Sequence, residues 1–209
     1  MESRERLVEH LIELGVLYTA SVIDAFRAID RRDFVRPDMA EAAYVDTALP
    51  IGLGQTISQP YTVAFMLERL QPQAGQRILD VGSGSGWQAA LLAHIVGEAG
   101  KVVALEIVSE LCDWGRQNVA RYNFIERGVV EMHCCSGWPG FPPAAPYDRI
   151  IAAAAGEQVP DAWLTQTKPG GCIVAPVGSS IMRLMRQADG TWVREDYPGF
   201  AFVPLVGEA

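Results

Sequence analysis

The fold is decided by the stretch Arg77-Ile78-Leu79-Asp80-Val81-Gly82-Ser83-Gly84-Ser85-Gly86. Its first half is a short apolar run typical of a buried strand, and its second half is a glycine-rich turn. Residues 87–96, which follow, are mostly apolar and have the length of a helix. A strand, a glycine-rich turn and a helix in this order indicate the first βα unit of a parallel sheet. In such sheets, ligands bind beyond the carboxyl ends of the strands.

The alternation of strands and helices continues toward the C-terminus. Apolar strands are predicted over residues 101–106, 128–133, 147–152 and 172–176, and helices over residues 109–122 and 160–168. From about Ile181 the tail offers two or three more strands around the turn Asp189-Gly190. This order predicts an α/β fold with a doubly wound, mainly parallel sheet.

The residues before this unit are mostly helical and predict an N-terminal helical appendage packed on the same domain. Ser3 can cap a first helix that Gly15 can end, and a second helix is predicted over residues 22–29. Arg31 and Arg32, which follow it, are expected to face solvent. A glycine-rich segment without helical period then leads into a third helix.

The whole chain, residues 1–209, is expected to form a single domain. Residues 1–72 would supply the N-terminal helices and an active-site loop, residues 73–178 the ligand-binding core, and residues 179–209 the C-terminal strands. A chain of this length is within the usual size of one domain, and it contains no repeat or flexible linker.

Composition excludes several classes of protein. The 209 residues include 17 Lys and Arg against 25 Asp and Glu, for a net charge of −8, and 49% are apolar. This is a globular composition, and its acidic balance argues against nucleic-acid binding. No apolar run reaches the roughly 20 residues of a membrane span, and the charged N-terminus is unlike a secretion signal. The four cysteines lack metal-site spacing, so we expect a cytoplasmic protein without a metal site or disulfides.

The spacing of the glycines indicates which ligand the turn could hold. A dinucleotide-binding turn follows the pattern GxGxxG, with a third small residue for close strand–helix packing. Here the pattern is GxGxG, and the bulky Trp87 stands where that third residue belongs. We interpret the turn as a site for a nucleoside without a pyrophosphate, such as S-adenosylmethionine. A glycine-rich βα turn with no ligand is the alternative.

Two further strand ends carry candidate ligand contacts. Glu106 ends the second strand, where a carboxylate can accept hydrogen bonds from ribose hydroxyls; the alternative is a solvated acid. Ser136 follows the third strand and could meet the adenine amino group. The aromatic, proline-rich loop of residues 138–143 could border the adenine pocket or cover the sheet.

Longer segments give the chain a family resemblance. The segments that carry it are Leu49-Pro50-Ile51-Gly52-Leu53-Gly54-Gln55-Thr56-Ile57-Ser58-Gln59-Pro60, Leu79 to Gly86, Ala145-Pro146-Tyr147-Asp148-Arg149-Ile150-Ile151, Lys168-Pro169-Gly170-Gly171, Pro176-Val177-Gly178 and Phe202-Val203-Pro204-Leu205. In these segments the chain resembles the protein-L-isoaspartate O-methyltransferases of the bacterial type over almost its whole length. The Gly-Gln-Thr-Ile-Ser segment is much more specific to that family than the GxGxG turn, which marks only the broad methyltransferase class.

The resemblance implies a Rossmann-like, S-adenosylmethionine-dependent enzyme. It would methylate the carboxylate of L-isoaspartyl residues in damaged proteins and peptides. We expect these substrates to be its partners, with no nucleic acid and no membrane, and we expect the protein to be a monomer. Ser58 corresponds to the family's active-site serine, and Gly54, Thr56 and Ile57 would contact the acceptor. The residues implied to hold the cofactor are Gln55, Asp80, Gly82, Ser83, Gly84, Gly86, Glu106, Ser136 and Gly137.

The chemistry needs few catalytic groups. An acceptor carboxylate, with a reference pKa near 4, is already ionised at pH 7, so no general base is required. The Ser58 hydroxyl could hold one acceptor oxygen and leave the other free to attack. The local pattern alone favours Ser58 as the cap of the helix that begins near Pro60, and only the family resemblance favours the catalytic role. The histidines His10, His94 and His133 are scattered and are expected to be structural or exposed.

One departure from the family pattern leaves alternatives open. The family usually has Gly-Asp-Gly where this chain has Cys135-Ser136-Gly137. Losing a charge-assisted hydrogen bond would cost about 1.5–3 kcal/mol of cofactor binding, part of which Ser136 or a water could recover. The alternatives are a methyltransferase with another carboxylate acceptor and a non-catalytic module that recognises isoaspartyl segments.

Overall fold

The computed structural model describes residues 3–207 of the chain. The α-helices are α1 (Arg4–Glu13), α2 (Ala20–Ala28), α3 (Pro60–Leu70), α4 (Trp87–Val96), α5 (Ser109–Ala120) and α6 (Asp161–Gln166). The strands are β1 (Leu49–Gly52), β2 (Gln55–Ile57), β3 (Arg77–Val81), β4 (Lys101–Glu106), β5 (Val130–Cys134), β6 (Tyr147–Ala152), β7 (Thr167–Val177), β8 (Ser180–Arg186) and β9 (Trp192–Pro198). Within residues 3–207, no helix has the length and apolar character needed to cross a membrane.

A seven-stranded sheet organises the chain, with the strand order β5-β4-β3-β6-β7-β8-β9. The strands from β5 to β7 are parallel, and β8 and β9 run antiparallel to their neighbours. The chain builds outward from β3 through β4 to β5, then returns to the other side of β3 with β6. This reversal opens a crevice at the carboxyl ends of β3 and β6, where ligands bind in such sheets. The predicted α/β class and mainly parallel sheet are confirmed.

Alternate residues of the central strands enter different cores. Ile78 and Val102 face one cluster together with α1 to α4, while Leu79 and Val103 face a second cluster that contains Trp163 of α6. Burying each such aliphatic side chain stabilises the fold by about 1.5–3 kcal/mol. The N-terminal helices therefore pack on the same face of the sheet as α4, as predicted for a helical appendage.

Several local predictions hold, and one helix is shorter than predicted. Ser3 caps α1 by accepting a hydrogen bond from the Arg6 N–H at 3.3 Å, and Gly15 follows the helix with φ of +69°. The helix predicted over 160–168 ends two residues earlier, at Gln166. The next residue, Thr167, pairs with Tyr147 across the sheet and so lengthens β7.

The glycine-rich segment before α3 forms an unpredicted hairpin. β1 pairs antiparallel with β2, with Leu49 opposite Ile57. Leu53 and Gly54 form the turn, with φ of +55° and +73°. Positive φ at both central residues gives the twist that a two-residue hairpin requires. The sequence does not predict the hairpin because a leucine rarely adopts the positive φ seen at Leu53 and because a proline is unusual within a strand such as β1.

The expectation for the arginines after α2 is half wrong. Arg32 is exposed, but only 2% of Arg31 is accessible to solvent. Arg31 is buried because its guanidinium donates to backbone carbonyls of the segment that precedes α3. The sequence pattern shows a run of charges and does not show these distant acceptors.

Candidate active site

The glycine-rich turn lies at the carboxyl end of β3 and folds over β4. The Gly82 and Ser83 N–H groups both donate to the Leu105 carbonyl, at 2.8 and 3.0 Å. The Gly86 N–H donates to the Ser83 carbonyl at 2.8 Å and closes the turn before α4. Gly82, Gly84 and Gly86 all have positive φ, so the turn requires glycine for its backbone conformation.

Gly86 has a packing role that differs from the predicted cofactor contact. A Cβ at this position would lie 2.7 Å from Val119 Cγ2 and 2.9 Å from the Gly115 carbonyl oxygen, both on α5. These distances are shorter than van der Waals contact. The missing side chain therefore lets α4 approach α5, and Gly86 is not among the residues that line a cavity in this region.

Glu106 is buried at the end of β4 and holds the turn in place. It is 6% exposed, and its carboxylate accepts hydrogen bonds from the Gly84 N–H at 2.8 Å and the Val108 N–H at 2.9 Å. The alternative of a solvated acid is therefore wrong. Each carboxylate oxygen keeps a second lone pair, so the group can still accept hydrogen bonds from a ligand.

Asp80 supports the turn from beneath and does not line a cavity. It is fully buried, Oδ1 accepts a hydrogen bond from Gln88 Nε2 at 2.7 Å, and Oδ2 has no partner in the described structure. Burial raises the pKa of Asp80 to about 7; the Gln88 hydrogen bond opposes this shift, and the nearby Glu106 charge adds to it. The structure therefore places Asp80 behind the predicted cofactor contacts.

A cleft of about 60 Å³ opens between the turn, the β1–β2 hairpin and residues 203–206. It brings together five of the residues predicted to hold the cofactor. These are Gln55, Gly82, Gly84, Glu106 and Gly137. The remaining lining is mostly apolar, and within the described chain no Lys or Arg lines the cleft. The chemistry of this lining suits an adenine and a ribose and offers no positive charge to a phosphate, while the free space of about 60 Å³ is smaller than a nucleoside.

A smaller cavity of about 30 Å³ continues from the cleft beneath the turn. Its lining includes Ser58, Ser83, Trp87 and Gln88. The Ser83 hydroxyl and the Trp87 Nε1 are buried and have no hydrogen-bond partner in the described structure. Buried polar groups are normally partnered, so these two fit a ligand that brings its own polar atoms, as the amino-acid portion of S-adenosylmethionine does.

Ser136 lies beside the cleft but is not among its lining residues. Its hydroxyl donates to the Gly207 carbonyl at 2.8 Å and thereby holds the end of the C-terminal segment, residues 203–207. The same segment is tied to the sheet edge, where the Leu205 N–H donates to the Ala155 carbonyl at 2.8 Å. Residues 202–205 matter in the sequence only for the family resemblance, and no sequence pattern predicts that this segment covers the cleft.

The loop of residues 138–143 covers the sheet rather than the cleft. Phe141 packs on the second core cluster, its N–H donates to Gln166 Oε1, and its carbonyl accepts from the Tyr147 hydroxyl. None of the three histidines lines the cleft. His94 lies 2.7 Å from the Asp24 carboxylate at the surface, and His133 stacks on Phe141.

A groove of about 790 Å³ adjoins the cleft and contains Ser58. Thr56 and Ala153 line both the groove and the cleft, so the two spaces meet there. Residues 198–203 form the opposite wall. None of the groove-lining residues in the described chain has a charged side chain. A carboxylate in this groove would therefore be held by neutral donors.

The structure separates the predicted acceptor contacts. Thr56 lines the groove beside Ser58, and Ile57 is buried against the small cavity. Gly54 lies exposed at the hairpin turn, away from both spaces.

The Ser58 side chain is not the cap of α3. Gln59 occupies the N-cap position and makes no side-chain capping bond. The start of α3 is satisfied by Asp46, whose Oδ1 accepts a hydrogen bond from the Tyr61 N–H at 2.8 Å. The capping interpretation is therefore wrong, and within residues 3–207 the Ser58 hydroxyl has no hydrogen-bond partner that would compete with a ligand.

Comparison with known proteins identifies the family. The sequence profile of the protein-L-isoaspartate(D-aspartate) O-methyltransferases matches residues 2–209. This chain belongs to that family. It is 43% identical to a protein-L-isoaspartate O-methyltransferase of Methanopyrus kandleri, covering 99% of this chain and 92% of that protein. It is 44% identical to the protein of that name from Methylibium petroleiphilum, covering 97% and 76%.

Solved structures of this family have the same fold. A Plasmodium falciparum protein-L-isoaspartate O-methyltransferase in complex with S-adenosyl-L-homocysteine superposes with a TM-score of 0.90, at 22% identity and 99% coverage of both chains. Another protein-L-isoaspartate O-methyltransferase gives a TM-score of 0.86 at 29% identity, covering 98% of this chain and 66% of the other. The family and the Rossmann-like methyltransferase fold predicted from the sequence are confirmed.

Proposed function

We propose that this protein transfers the methyl group of S-adenosylmethionine to the carboxylate of L-isoaspartyl residues in damaged proteins and peptides. Its membership of the protein-L-isoaspartate(D-aspartate) O-methyltransferase family supports this assignment. The observation that supports it in the structure is the junction at Thr56 and Ala153, where an uncharged groove containing Ser58 meets the cleft beside the glycine-rich turn, which no described Lys or Arg lines.

The cleft residues would hold the cofactor by its two ends. Glu106 would accept hydrogen bonds from the ribose hydroxyls, and the apolar walls around Leu105 and Val206 would enclose the adenine. Ser83, beneath the turn, would meet the amino-acid portion. S-adenosylmethionine, when bound, supplies an electrophilic methyl carbon on a positively charged sulfur.

The groove residues would align the acceptor. An isoaspartyl carboxylate is ionised at neutral pH and needs no base. The Ser58 hydroxyl would donate to one carboxylate oxygen and leave the other free for in-line attack at the methyl carbon. A neutral donor orients the nucleophile without withdrawing as much of its charge as a cation would. Alignment and water exclusion of this kind can supply about 7–11 kcal/mol of a barrier.

Replacing Ser58 tests this assignment. With an isoaspartyl peptide and labelled cofactor, Ser58→Ala should lower kcat about 10- to 100-fold, since a hydrogen bond to a charged group is worth about 1.5–3 kcal/mol. Calorimetry should find the Kd for S-adenosylhomocysteine changed less than about threefold. The control is Ser21→Ala, on the exposed face of α2, which should leave both values unchanged. Equal losses of kcat and cofactor affinity would mean that Ser58 is assigned to the wrong partner.

The matching normal-aspartyl peptide tests the acceptor. It should be methylated far more slowly than the isoaspartyl peptide, and equal rates would remove the substrate assignment. A non-catalytic isoaspartyl-binding module predicts no binding of S-adenosylhomocysteine at millimolar concentration. The change at Ser136 does not favour another acceptor, since its hydroxyl is bonded to Gly207 and is outside the groove lining.

We also propose that the protein works as a cytoplasmic monomer that binds neither nucleic acid nor membranes. The net charge of −8 supports the exclusion of nucleic acid. The described cysteines are free, which suits a reducing compartment.

A further inference from the structure

Arg31 is a buried cation that the proposed reaction does not use directly. Its guanidinium donates to the backbone carbonyls of Ala43 at 2.8 Å, Val45 at 3.3 Å, Thr47 at 2.9 Å and Ser58 at 3.0 Å. One side chain thus joins three carbonyls of the segment after α2 to the residue that holds the proposed catalytic hydroxyl.

The same guanidinium touches the cofactor side of the site. It lies over the ring of Trp87, 5.3 Å from the ring centroid. Trp87 is the first residue of α4, directly after the glycine-rich turn, and it lines the small cavity together with Ser58 and Ser83. Arg31 therefore bridges the backbone of the Ser58 segment and the helix that carries the turn.

Burying the charged guanidinium of Arg31 costs free energy, so its presence at a buried position indicates that it fixes a particular conformation. Its hydrogen-bond acceptors are neutral carbonyls, and burial lowers the pKa of Arg31 to about 10, with Asp46 opposing the shift. An apolar side chain could fill the volume but could not bond the carbonyls. A buried charge is retained more readily where it fixes a particular conformation.

We propose that Arg31 is a positioning residue, which sets the Ser58 hydroxyl against the cofactor turn by clamping the Ser58 carbonyl and packing on Trp87. The inference rests on the proposed function of Ser58. Loss of the clamp should leave the cleft able to bind cofactor, since Arg31 lines neither the cleft nor the groove. It should impair alignment of the acceptor, where an error of 1 Å can lower a rate about 100-fold.

Arg149 provides a matched control within the same fold. It is partly buried, less than Arg31, and its Nε donates to the carbonyls of Leu70 and Gln71, at 2.8 and 3.4 Å. Burial lowers its pKa as well. These acceptors lie at the C-terminal end of α3, whereas the Ser58 carbonyl precedes its N-terminal end. The two arginines thus anchor opposite ends of one helix, and only one is next to the site.

The test compares Arg31→Lys with Arg149→Lys. A lysine keeps the charge but cannot reach all the carbonyls that the guanidinium fork joins. We expect Arg31→Lys to lower kcat at least 10-fold with an isoaspartyl peptide. The Kd for S-adenosylhomocysteine and the peptide KM should stay within about threefold. Arg149→Lys should lower the melting temperature to a similar degree and leave kcat within about twofold. Should the lysine variants not fold, Arg31→Gln and Arg149→Gln replace them without stranding a buried ammonium.

Hydrogen exchange of the ligand-free protein gives a readout that does not depend on activity. Amides of residues 55–61 should exchange faster in Arg31→Lys and remain unchanged in Arg149→Lys. A wild-type protein that fails to methylate the isoaspartyl peptide would refute the proposed function, while this exchange comparison would still decide the clamp. Equal kcat losses in the two variants, a kcat loss matched by lost cofactor affinity, or unchanged exchange at residues 55–61 would each overturn the proposal.

Discussion

Asp80 should make the stability of this protein fall as the pH rises through neutrality. Its carboxyl is fully buried beneath the glycine-rich turn, and burial raises its pKa from 3.8 to about 7. Above pH 4 the unfolded chain has lost this proton, whereas the folded protein keeps it until the pH approaches 7. The folded state therefore binds more protons in this interval, and the free energy of unfolding must decrease as the pH rises.

The two pKa values set the size of the effect. The full shift of Asp80 corresponds to about 4 kcal/mol, at about 1.4 kcal/mol for each pH unit. Between pH 5 and pH 8 the same two values give a loss of about 2–3 kcal/mol, nearly all of it below pH 7.5. This is a large fraction of the stability of a typical domain, about 5–15 kcal/mol.

Urea unfolding of the wild-type protein and Asp80→Asn measures the effect. Other titrating groups contribute equally to both proteins, so their difference in unfolding free energy isolates position 80. We expect the wild type to lose about 2–3 kcal/mol relative to Asp80→Asn between pH 5 and pH 8. Gln88→Leu, which removes a hydrogen bond that lowers the pKa of Asp80, should move the transition to higher pH.

Asp148 is the matched control. Burial of the Asp148 carboxyl tends to raise its pKa. The ion pair with Lys168 at 2.8 Å and the other hydrogen bonds and charges around Asp148 outweigh burial, so the pKa of Asp148 is lowered. Stability from such a group is present above the unfolded pKa and is lost only in acid, below the tested range. The difference between wild type and Asp148→Asn should therefore be flat from pH 5 to pH 8. A flat difference for Asp80→Asn as well would refute the reasoning, since Asp80 would then be ionised throughout.

Two further predictions concern the turn and the C-terminal segment. Gly86→Ala should lower the unfolding free energy by about 2–4 kcal/mol, since it combines a left-handed backbone with contacts shorter than 3 Å on α5. Gly15→Ala, with φ of +69° but no atom within 4 Å, isolates the cost of positive φ at about 1–2 kcal/mol; equal losses in urea unfolding would contradict the packing role of Gly86. Ser136→Ala removes the hydrogen bond to the Gly207 carbonyl, so S-adenosylhomocysteine should dissociate several-fold faster in stopped-flow measurements, with the chemical step in single turnovers unchanged. An unchanged dissociation rate would show that the bond between Leu205 and Ala155 is enough to hold the segment.

Local signals predicted the central part of the molecule. β3, the turn and α4 are contiguous in the sequence, and their apolar runs and glycine spacing describe their own conformation. The same holds for Glu106, which was predicted as a strand-end carboxylate and lies on the wall of the cleft. These features depend on neighbours within a few residues or on the regular geometry of a parallel sheet.

Long-range contacts explain what the sequence could not reveal. Arg31 stands in a charged run, and its burial depends on carbonyls up to 27 residues away. The role of Gly86 depends on α5, and the C-terminal segment reaches Ser136 from 71 residues away. Periodicity carries no information on such partners, because each is defined by the tertiary fold.

The availability of Ser58 shows how these distant contacts create the site. A serine directly before a helix would ordinarily be suited to bond the first backbone N–H groups, and Ser58 lies one residue further back, before the N-cap residue Gln59. Here Asp46 accepts the hydrogen bond from the Tyr61 N–H, and Arg31 donates one to the Ser58 carbonyl. The backbone groups at the start of α3 are therefore bonded by residues other than the Ser58 side chain. Among residues 3–207 the hydroxyl has no hydrogen-bond partner, and it lies beside an uncharged groove. A residue whose expected local bond is supplied from elsewhere in the fold is thereby left available to a ligand, as the proposed role of Ser58 requires.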